Sequence, residues 1–479
     1  MSVPRTPAPA RRGSRIFFAG AIIGQGCALL RYTLLARLIG PDQLGLVAIL
    51  ILASNFFENI SDTGGDRFLV QDADGEKPEV QKFVQLVFIG RGLMLALGML
   101  AFALPISQFY GEPALFVGLA VLGLSPFVGG FMHLDTRRFQ RVNDFRAEGL
   151  GMVASEVFSL AATIVAAWLT RDYTAFLWGM IGRAVVLVAV SHMTAERPYR
   201  IGYSKPVARR LAAFSAPLIA NGMLLFAAGQ SDRLMVSKLV GLEALGHYSA
   251  VLLLILYPTG ALGRFVVGIH LPLTARAPAT PTPGSEQDLL AGRVMLLSLA
   301  ICAGFALVGP IAVRVLFGEK FVQTPLLVAL VSVLQTGRFI RNWPTTVALG
   351  LGKSYIVMAN NLARMLGIPA AIVGLLLVGG VMGVVTGFIF GELAALVTAI
   401  VMLNRERQVP WTYDFDRIAA FVCGCALIAS LAAAAQHRWL PGLLLLLPSG
   451  FLLAWLVHHE RAAFAASLRT ARRILRRKA

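Results

Sequence analysis

The chain has 479 residues, 57% of them hydrophobic and only 14% charged, with a mean hydropathy of +0.72. Soluble domains carry about a quarter charged residues, so this composition excludes a soluble enzyme or binding module and points to a polytopic helical membrane protein. The formal charge of +18 needs no nucleic acid: with a cytoplasmic N-terminus, about 31 Lys and Arg fall on that side, about 8 on the other and about 4 deep in segments, as the positive-inside rule expects.

Near the start, Arg11-Arg12-Gly-Ser-Arg15 looks like a twin-arginine targeting signal. The apolar stretch behind it lacks a small-residue cleavage site and many spans follow, so it is expected to be the first helix with its positive flank. Apolar runs predict about fourteen helices in all. The first six lie near 16–38, 44–64, 83–104, 114–134, 148–169 and 174–193. A basic loop, Arg197 to Arg210, precedes six more near 211–235, 245–268, 291–313, 325–347, 355–377 and 381–403. A Pro-rich connection, Pro272 to Gly284, joins the eighth and ninth. A polar linker, Asn404 to Arg417, leads to two last helices near 418–435 and 440–457. The basic run from Arg469 to Lys478 is expected to face the cytoplasm and anionic headgroups. The loop Asp66 to Lys82 holds more acids than bases, which the positive-inside rule tolerates because it counts Lys and Arg.

An internal repeat organises these helices. Ala36-Arg-Leu-Ile-Gly-Pro-Asp-Gln-Leu-Gly45 returns as Ser237-Lys-Leu-Val-Gly-Leu-Glu-Ala-Leu-Gly246, and Phe109-Tyr-Gly-Glu112 returns as Leu316-Phe-Gly-Glu319. Each repeat holds six helices, so equivalent helices keep their direction and the repeat is parallel. The expected fold class is all-α: two six-helix bundles, 1–200 and 201–404, then two extra helices and a basic cytoplasmic tail over 405–479.

Ionisable residues inside spans cost about 2.5–3.5 kcal/mol each at a helix centre and normally face a cavity or a partner. They are Arg31, Glu58, Asp62, Arg91, Glu156, Arg183, Asp232, Arg264, Arg338, Arg341, Arg364 and Glu392. Asn55, Glu58, Asn59 and Asp62 are spaced i, i+3, i+4, i+7 on one face of the second helix, so they are expected to line a cavity or gate, with a carboxylate available for ion coupling. Arg31 and Asp232 occupy repeat-equivalent places and could either bind substrate or form a gate salt bridge. Guanidinium groups clamp phosphate oxygens through a bidentate fork. Arg31, Arg264, Arg364 and Arg183 are therefore the candidate substrate-binding residues, whereas Arg91 is expected to snorkel from a helix end.

Other apparent motifs carry no chemistry. Gly350-Leu-Gly-Lys-Ser354 lacks the first glycine of a phosphate-binding loop, having Val347 there, and reads as a turn. Gly24-Gln-Gly26 reads as a helix-packing site. The four cysteines, Cys27, Cys302, Cys423 and Cys425, fall in apolar segments as small hydrophobes. His458-His459-Glu460 has no second ligand set, so no metal or other cofactor is expected, and no catalytic arrangement stands out.

The chain resembles the polysaccharide exporters, or O-antigen-type flippases, of the multidrug/oligosaccharidyl-lipid/polysaccharide (MOP) superfamily. The resemblance covers nearly its whole length. It rests on Leu35 to Gly45, on Asp62-Thr-Gly64, on Arg138-Phe-Gln-Arg-Val-Asn-Asp-Phe145, and on Ser231-Asp-Arg-Leu-Met235 followed by Leu239-Val-Gly241, in that order. It implies a transporter, not an enzyme, in the bacterial inner membrane with both termini cytoplasmic. Its cargo would be an undecaprenyl-pyrophosphate-linked oligosaccharide moved by alternating access for O-antigen, capsule or exopolysaccharide synthesis. Its partners would be that lipid, membrane lipids and polysaccharide-assembly enzymes, with no nucleic acid. The related lipid II flippases look similar in having cavity arginines on helices one, two and eight. Here Arg31 and Arg264 stand on one and eight, but the second helix carries acids, which argues against lipid II as cargo. A drug/cation antiporter of the same superfamily is the alternative. An integral-membrane glycosyltransferase or polymerase is a second, although it would need a larger extramembrane loop.

Overall fold

A computed structural model describes residues 8–142, 144–278, 280–282, 284–436 and 450, with side chains from residue 20 onward, residue 21 excepted. The predicted helix near 440–457, the His458-His459-Glu460 cluster and the basic C-terminal run lie outside the described residues, as do the side chains of Arg11 and Arg12. The described residues are helical throughout, without a strand. The chain divides into two compact units, Met1–Gly246 and His247–Ala479.

In the first unit the helices are α1 (Ala8–Ile60), α2 (Gly65–Gln71), α3 (Pro78–Tyr110), α4 (Ala114–Leu122), α5 (Leu124–Gly129), α6 (Asp135–Arg141), α7 (Arg146–Thr170), α8 (Thr174–Met193) and α9 (Lys205–Met235). From α10 (Leu242–Thr274) onward come α11 (Glu286–Phe317), α12 (Pro325–Ile340), α13 (Asn342–Gly350), α14 (Ser354–Arg364), α15 (Gly367–Leu377), α16 (Gly380–Glu406) and α17 (Phe415–Ala434). Among the described residues, ten helices are long and apolar enough to cross a membrane. Eleven of the expected spans fall on these ten, whereas the fourth and tenth fall on shorter helices outside them. The first two join as α1, broken at Gly40; the fourth is divided into α4 and α5; the tenth and eleventh are divided as α12–α13 and α14–α15. The acidic loop after α1 contains one short helix, α2.

The repeated glycines show why these boundaries recur. Gly40 holds φ 83 and ψ 177, and Gly241 holds φ 125 and ψ 171. A side chain is strained at such positive φ, so glycine at this point of the motif turns the chain between two long helices. Gly111 (φ 71) and Gly318 (φ 97) likewise end α3 and α11, the second pair of echoes.

Small residues set the tightest helix pairs. A Cβ on Gly179 of α8 would collide with Thr163 of α7. A Cβ on Gly387 of α16 would strike Ala371 of α15, and Gly383 and Gly374 face each other's carbonyls. Such close backbone approach is how helices associate where lipid removes the hydrophobic drive between them. In the second unit, α17 adds Phe421 and Cys425 to a core containing Met295, Phe339, Trp343 and Leu396.

Candidate functional site

The close pairing of α7 with α8 brings two intramembrane charges together. Arg183 Nε donates to Glu156 Oε1 at 2.6 Å, and Arg31 of α1 donates through Nη1 to Glu156 Oε2 at 3.0 Å and to Ser159 Oγ at 2.6 Å. The Arg31 side chain is 8% exposed and that of Arg183 39%. Glu156 is thus a hub between two of the candidate substrate arginines. Asp232, the repeat-equivalent of Arg31, sits buried on α9.

The second unit builds a similar hub. Glu392 of α16, buried at 2%, receives Arg364 Nε at 2.5 Å and Arg338 Nε at 3.0 Å on Oε1, and Arg341 lies 3.1 Å from Oε2. Arg341 also donates to Asn360 Oδ1 at 3.1 Å. Arg364 follows Glu156 by 208 positions and Glu392 follows Arg183 by 209, so the helix-five to helix-six ion pair recurs with its signs exchanged. A buried carboxylate needs this company, because an uncompensated charge in a low dielectric is strongly disfavoured.

Arg264 is placed differently. It is exposed on α10 and, with Thr259, Gln335, Arg338 and Asn342, lines an open cavity of about 470 Å³. Among the described residues no carboxylate pairs with Arg264, and the buried Gln335 leaves its Nε2 donor without an acceptor. The cavity therefore presents hydrogen-bond donors and positive charge, the chemistry that suits phosphate and sugar oxygens.

Of the polar stripe expected on the second helix, Asn55, Glu58 and Asn59 lie at the end of α1, whereas Asp62 falls beyond the helix, which ends at Ile60. Glu58, Asn59 and Asp62 line a cavity of about 310 Å³ with Asp66, Arg67, Arg91 and Arg137. Asn55 is half-buried and its carbonyl accepts from Asn59 Nδ2 at 2.6 Å. Glu58 accepts only the Ser54 hydroxyl at 3.1 Å among the described residues. Asp62 caps the turn through Gly64 N–H at 3.0 Å and meets Arg67 at 3.2 Å. Arg91, expected to snorkel, turns instead to the open end of α1, donating to the Ser61 carbonyl at 2.9 Å and the Glu58 carbonyl at 3.1 Å. The last carbonyls of a helix lack intrahelical partners, and a guanidinium satisfies them.

Arg138, which opens the motif, forms a brace with Asp135 outside the spans. Asp135, fully buried, accepts Arg138 Nε at 2.7 Å and the backbone N–H groups of Glu196 and Arg197 at 2.8 and 3.2 Å. Burial pushes the Asp135 carboxyl up, but these donors outweigh it and hold the group below the usual carboxylate range.

Glu156, Ser159, Gln335 and Glu392 are not among the site residues expected from sequence. The two glutamates announce themselves only as costly intramembrane charges. Ser159 and Gln335 give no sequence signal, since uncharged polar residues are common in helices.

The folded chain is a multi-pass helical membrane protein, and comparison with known proteins gives its class. The profile described as "Polysaccharide biosynthesis protein" matches residues 34–325, and the chain belongs to that family. The succinoglycan biosynthesis transport protein ExoT of Rhizobium meliloti (strain 1021) is 26% identical over 306 residues, which are 62% of this chain and 60% of ExoT. Among solved structures, the lipid II flippase MurJ in an inward closed conformation superposes with a TM-score of 0.64 at 13% identity, covering 92% of this chain and 98% of MurJ. An inward-facing multidrug resistance MATE family transporter of the MOP superfamily gives 0.55 at 16% identity, covering 85% of this chain and 95% of the other. The fold is the one these two transporters have.

Proposed function

We propose that the protein is an alternating-access flippase that moves an undecaprenyl-pyrophosphate-linked oligosaccharide across the bacterial inner membrane during polysaccharide synthesis. The observation that carries this reading is Arg264: a guanidinium without a carboxylate among the described residues, on a wide cavity it shares with Arg338 and the unspent Gln335 donor. A diphosphate supplies the acceptors this cavity lacks, and a headgroup with several sugars needs its breadth. Arg31, Arg183 and Arg364 rest on carboxylates and would engage phosphate by exchanging that partner for it. The family and its succinoglycan-transport relative support a cargo from polysaccharide assembly.

A drug/cation antiporter would bind its cargo at acids. The cavity holding Glu58, Asp62 and Asp66 also holds Arg67, Arg91 and Arg137, so it offers a cation little net attraction. The deciding experiment is flipping of a fluorescent undecaprenyl-diphosphate oligosaccharide in vesicles containing the purified protein. Protein-dependent loss of fluorescence to an outside quencher supports the flippase. Export of small cations without such flipping replaces it with the antiporter.

A further inference from the structure

A further basic cavity shares no lining residue with the two cavities above. It has a volume of about 210 Å³ and is lined by Gln81, Lys82 and Gln85 at the start of α3, by His133, and by Arg197, Tyr199 and Arg200 of the segment joining α8 to α9. The segment is fixed to α3: Gly202 N–H donates to the Lys82 carbonyl at 3.3 Å, and the rings of Tyr203 and Phe83 stack edge to face at 5.9 Å.

The charges here are unbalanced. Arg197 is spent on the Glu76 carbonyl at 2.8 Å and Gln81 Oε1 at 3.2 Å. The nearby acids are also occupied, Glu79 by Ser204 at 2.5 Å and Glu196 by Arg138 at 2.5 Å. Among the described residues neither Lys82 nor Arg200 has a carboxylate partner. His133 adds no charge: its Nδ1 accepts Asp135 N–H at 3.1 Å, which places the proton on Nε2 facing the Arg197 carbonyl at 3.0 Å, and burial holds the imidazole below its ordinary range. The amide groups of Gln85 are used on Met132 and Leu134.

Two further observations select the ligand. The volume equals about seven waters at roughly 30 Å³ each, enough for a phosphodiester with a glycerol and too small for an oligosaccharide. Beside the two cations, Ile201 and Tyr203 are 54% and 74% exposed. Apolar and aromatic side chains beside Lys and Arg at the start of a membrane span mark the headgroup level of a bilayer. We infer that Lys82 and Arg200 bind the phosphate of an anionic phospholipid, whose chains lie along Ile201 and Tyr203. Bound there, the lipid pins the α8–α9 connection to the start of α3. This site is separate from the cargo cavity and does not rest on the proposed cargo.

The test uses the full-length protein in nanodiscs of phosphatidylcholine with a minority of phosphatidylglycerol. Native mass spectrometry counts the lipids that remain after mild release. The wild type and a control with equal charge loss, Arg276→Ala with Lys320→Ala, are expected to retain phosphatidylglycerol preferentially. Lys82→Ala with Arg200→Ala is expected to lower that retention by about thirtyfold, as loss of two headgroup contacts at about 1 kcal/mol each predicts. Arg200→Ala alone, at an exposed position without a partner to orphan, is expected to lower it part of the way while the protein stays folded. In a second arm, phosphatidylglycerol but not inorganic phosphate is expected to protect Lys82 from amine acylation. Undiminished retention in both Arg200 variants, equal loss in the control, or equal protection by inorganic phosphate overturns the lipid site.

Discussion

Gly45 and Gly246, matching residues of the repeated motif, pack directly against each other. A Cβ on Gly246 would stand 3.2 Å from Gly45 N and collide with the Pro41 carbonyl, while a Cβ on Gly45 would collide with the Leu242 carbonyl. The relation is reciprocal: each copy of the motif presents its glycine to the helix start of the other. Backbone cannot yield as a flexible side chain can, so overpacking here costs about 1–3 kcal/mol. Gly45→Ala and Gly246→Ala are expected to lower thermal stability in detergent by that amount. Gly304→Ala, where a Cβ meets nothing within 4 Å, should leave stability unchanged or slightly raised, because Ala favours a helix. Equal melting of all three would show that the glycine contact bears no strain.

The two carboxylate hubs predict unequal effects. Glu392 is fully enclosed by three arginines, so Glu392→Gln leaves buried guanidinium charge without its counter-ion and should cost about 3–5 kcal/mol. Arg183 is 39% exposed beside Glu156; Glu156 keeps Arg31, and solvent screens the lost pair, so Arg183→Gln should cost about 1 kcal/mol or less. Thermal denaturation of the two variants under one condition tests the ranking, and a larger effect at Arg183 would refute it.

How much of this was legible in the sequence follows from these same residues. The repeat exposes Gly45 and Gly246 as equivalents, and apolar length gives the spans, since each is a local pattern. Insertion cost flags Glu156 and Glu392 as residues that need partners. It cannot name the partners, because Arg31 lies 125 positions from Glu156 and only packing of α1 on α7 closes that gap. The polar stripe at Asn55 to Asp62 is visible from helical spacing. That Asp62 also holds the turn while Glu58 does not is hidden, since both satisfy the spacing equally. Arg91 shows the limit of a rule about helix ends: α3 begins already at Pro78, and the carbonyls at the end of α1 take the guanidinium.

The brace at Asp135 carries a pH signature. Its folded pKa lies below the ordinary value of 3.8, so its stabilisation is present above that value and is lost as the pH falls through the lower folded value. Asp135→Asn should therefore destabilise the protein at neutral pH by about 1.5–3 kcal/mol, the worth of hydrogen bonds to a charged group. It should also remove one component of acid denaturation below pH 3.8. Melting curves from neutral to acid pH for both proteins check the sign. A variant whose acid sensitivity matches the wild type would show that other carboxylates dominate.

Glu58 and Asp62 should separate transport from structure. Both line the same cavity, but among the described residues Glu58 accepts one hydroxyl, whereas Asp62 also holds the turn after α1. If proton or ion coupling uses this stripe, Glu58→Gln flattens the pH dependence of flipping with stability intact. Asp62→Asn keeps an acceptor for Gly64 N–H but weakens the Arg67 contact, and should change stability by under about 1 kcal/mol. A flipping rate with the wild-type pH profile in Glu58→Gln would remove that carboxylate from coupling.

Arg264 gives the most direct test of the proposed cargo contact. Its guanidinium has no carboxylate to orphan among the described residues, so Arg264→Ala should leave folding intact. A charge-assisted hydrogen bond is worth about 1.5–3 kcal/mol, which is a loss of roughly tenfold to a hundredfold in flipping of a diphosphate-linked oligosaccharide. Arg264→Lys retains the charge but not the planar fork, so it should recover only part of that loss. Arg31→Lys should be harsher than Arg264→Lys, because an ammonium must replace contacts to both Glu156 and Ser159 within a buried site. Full activity of Arg264→Ala would take the α10 cavity out of cargo binding, and full rescue by lysine would show that positive charge alone, without bidentate geometry, holds the phosphate there.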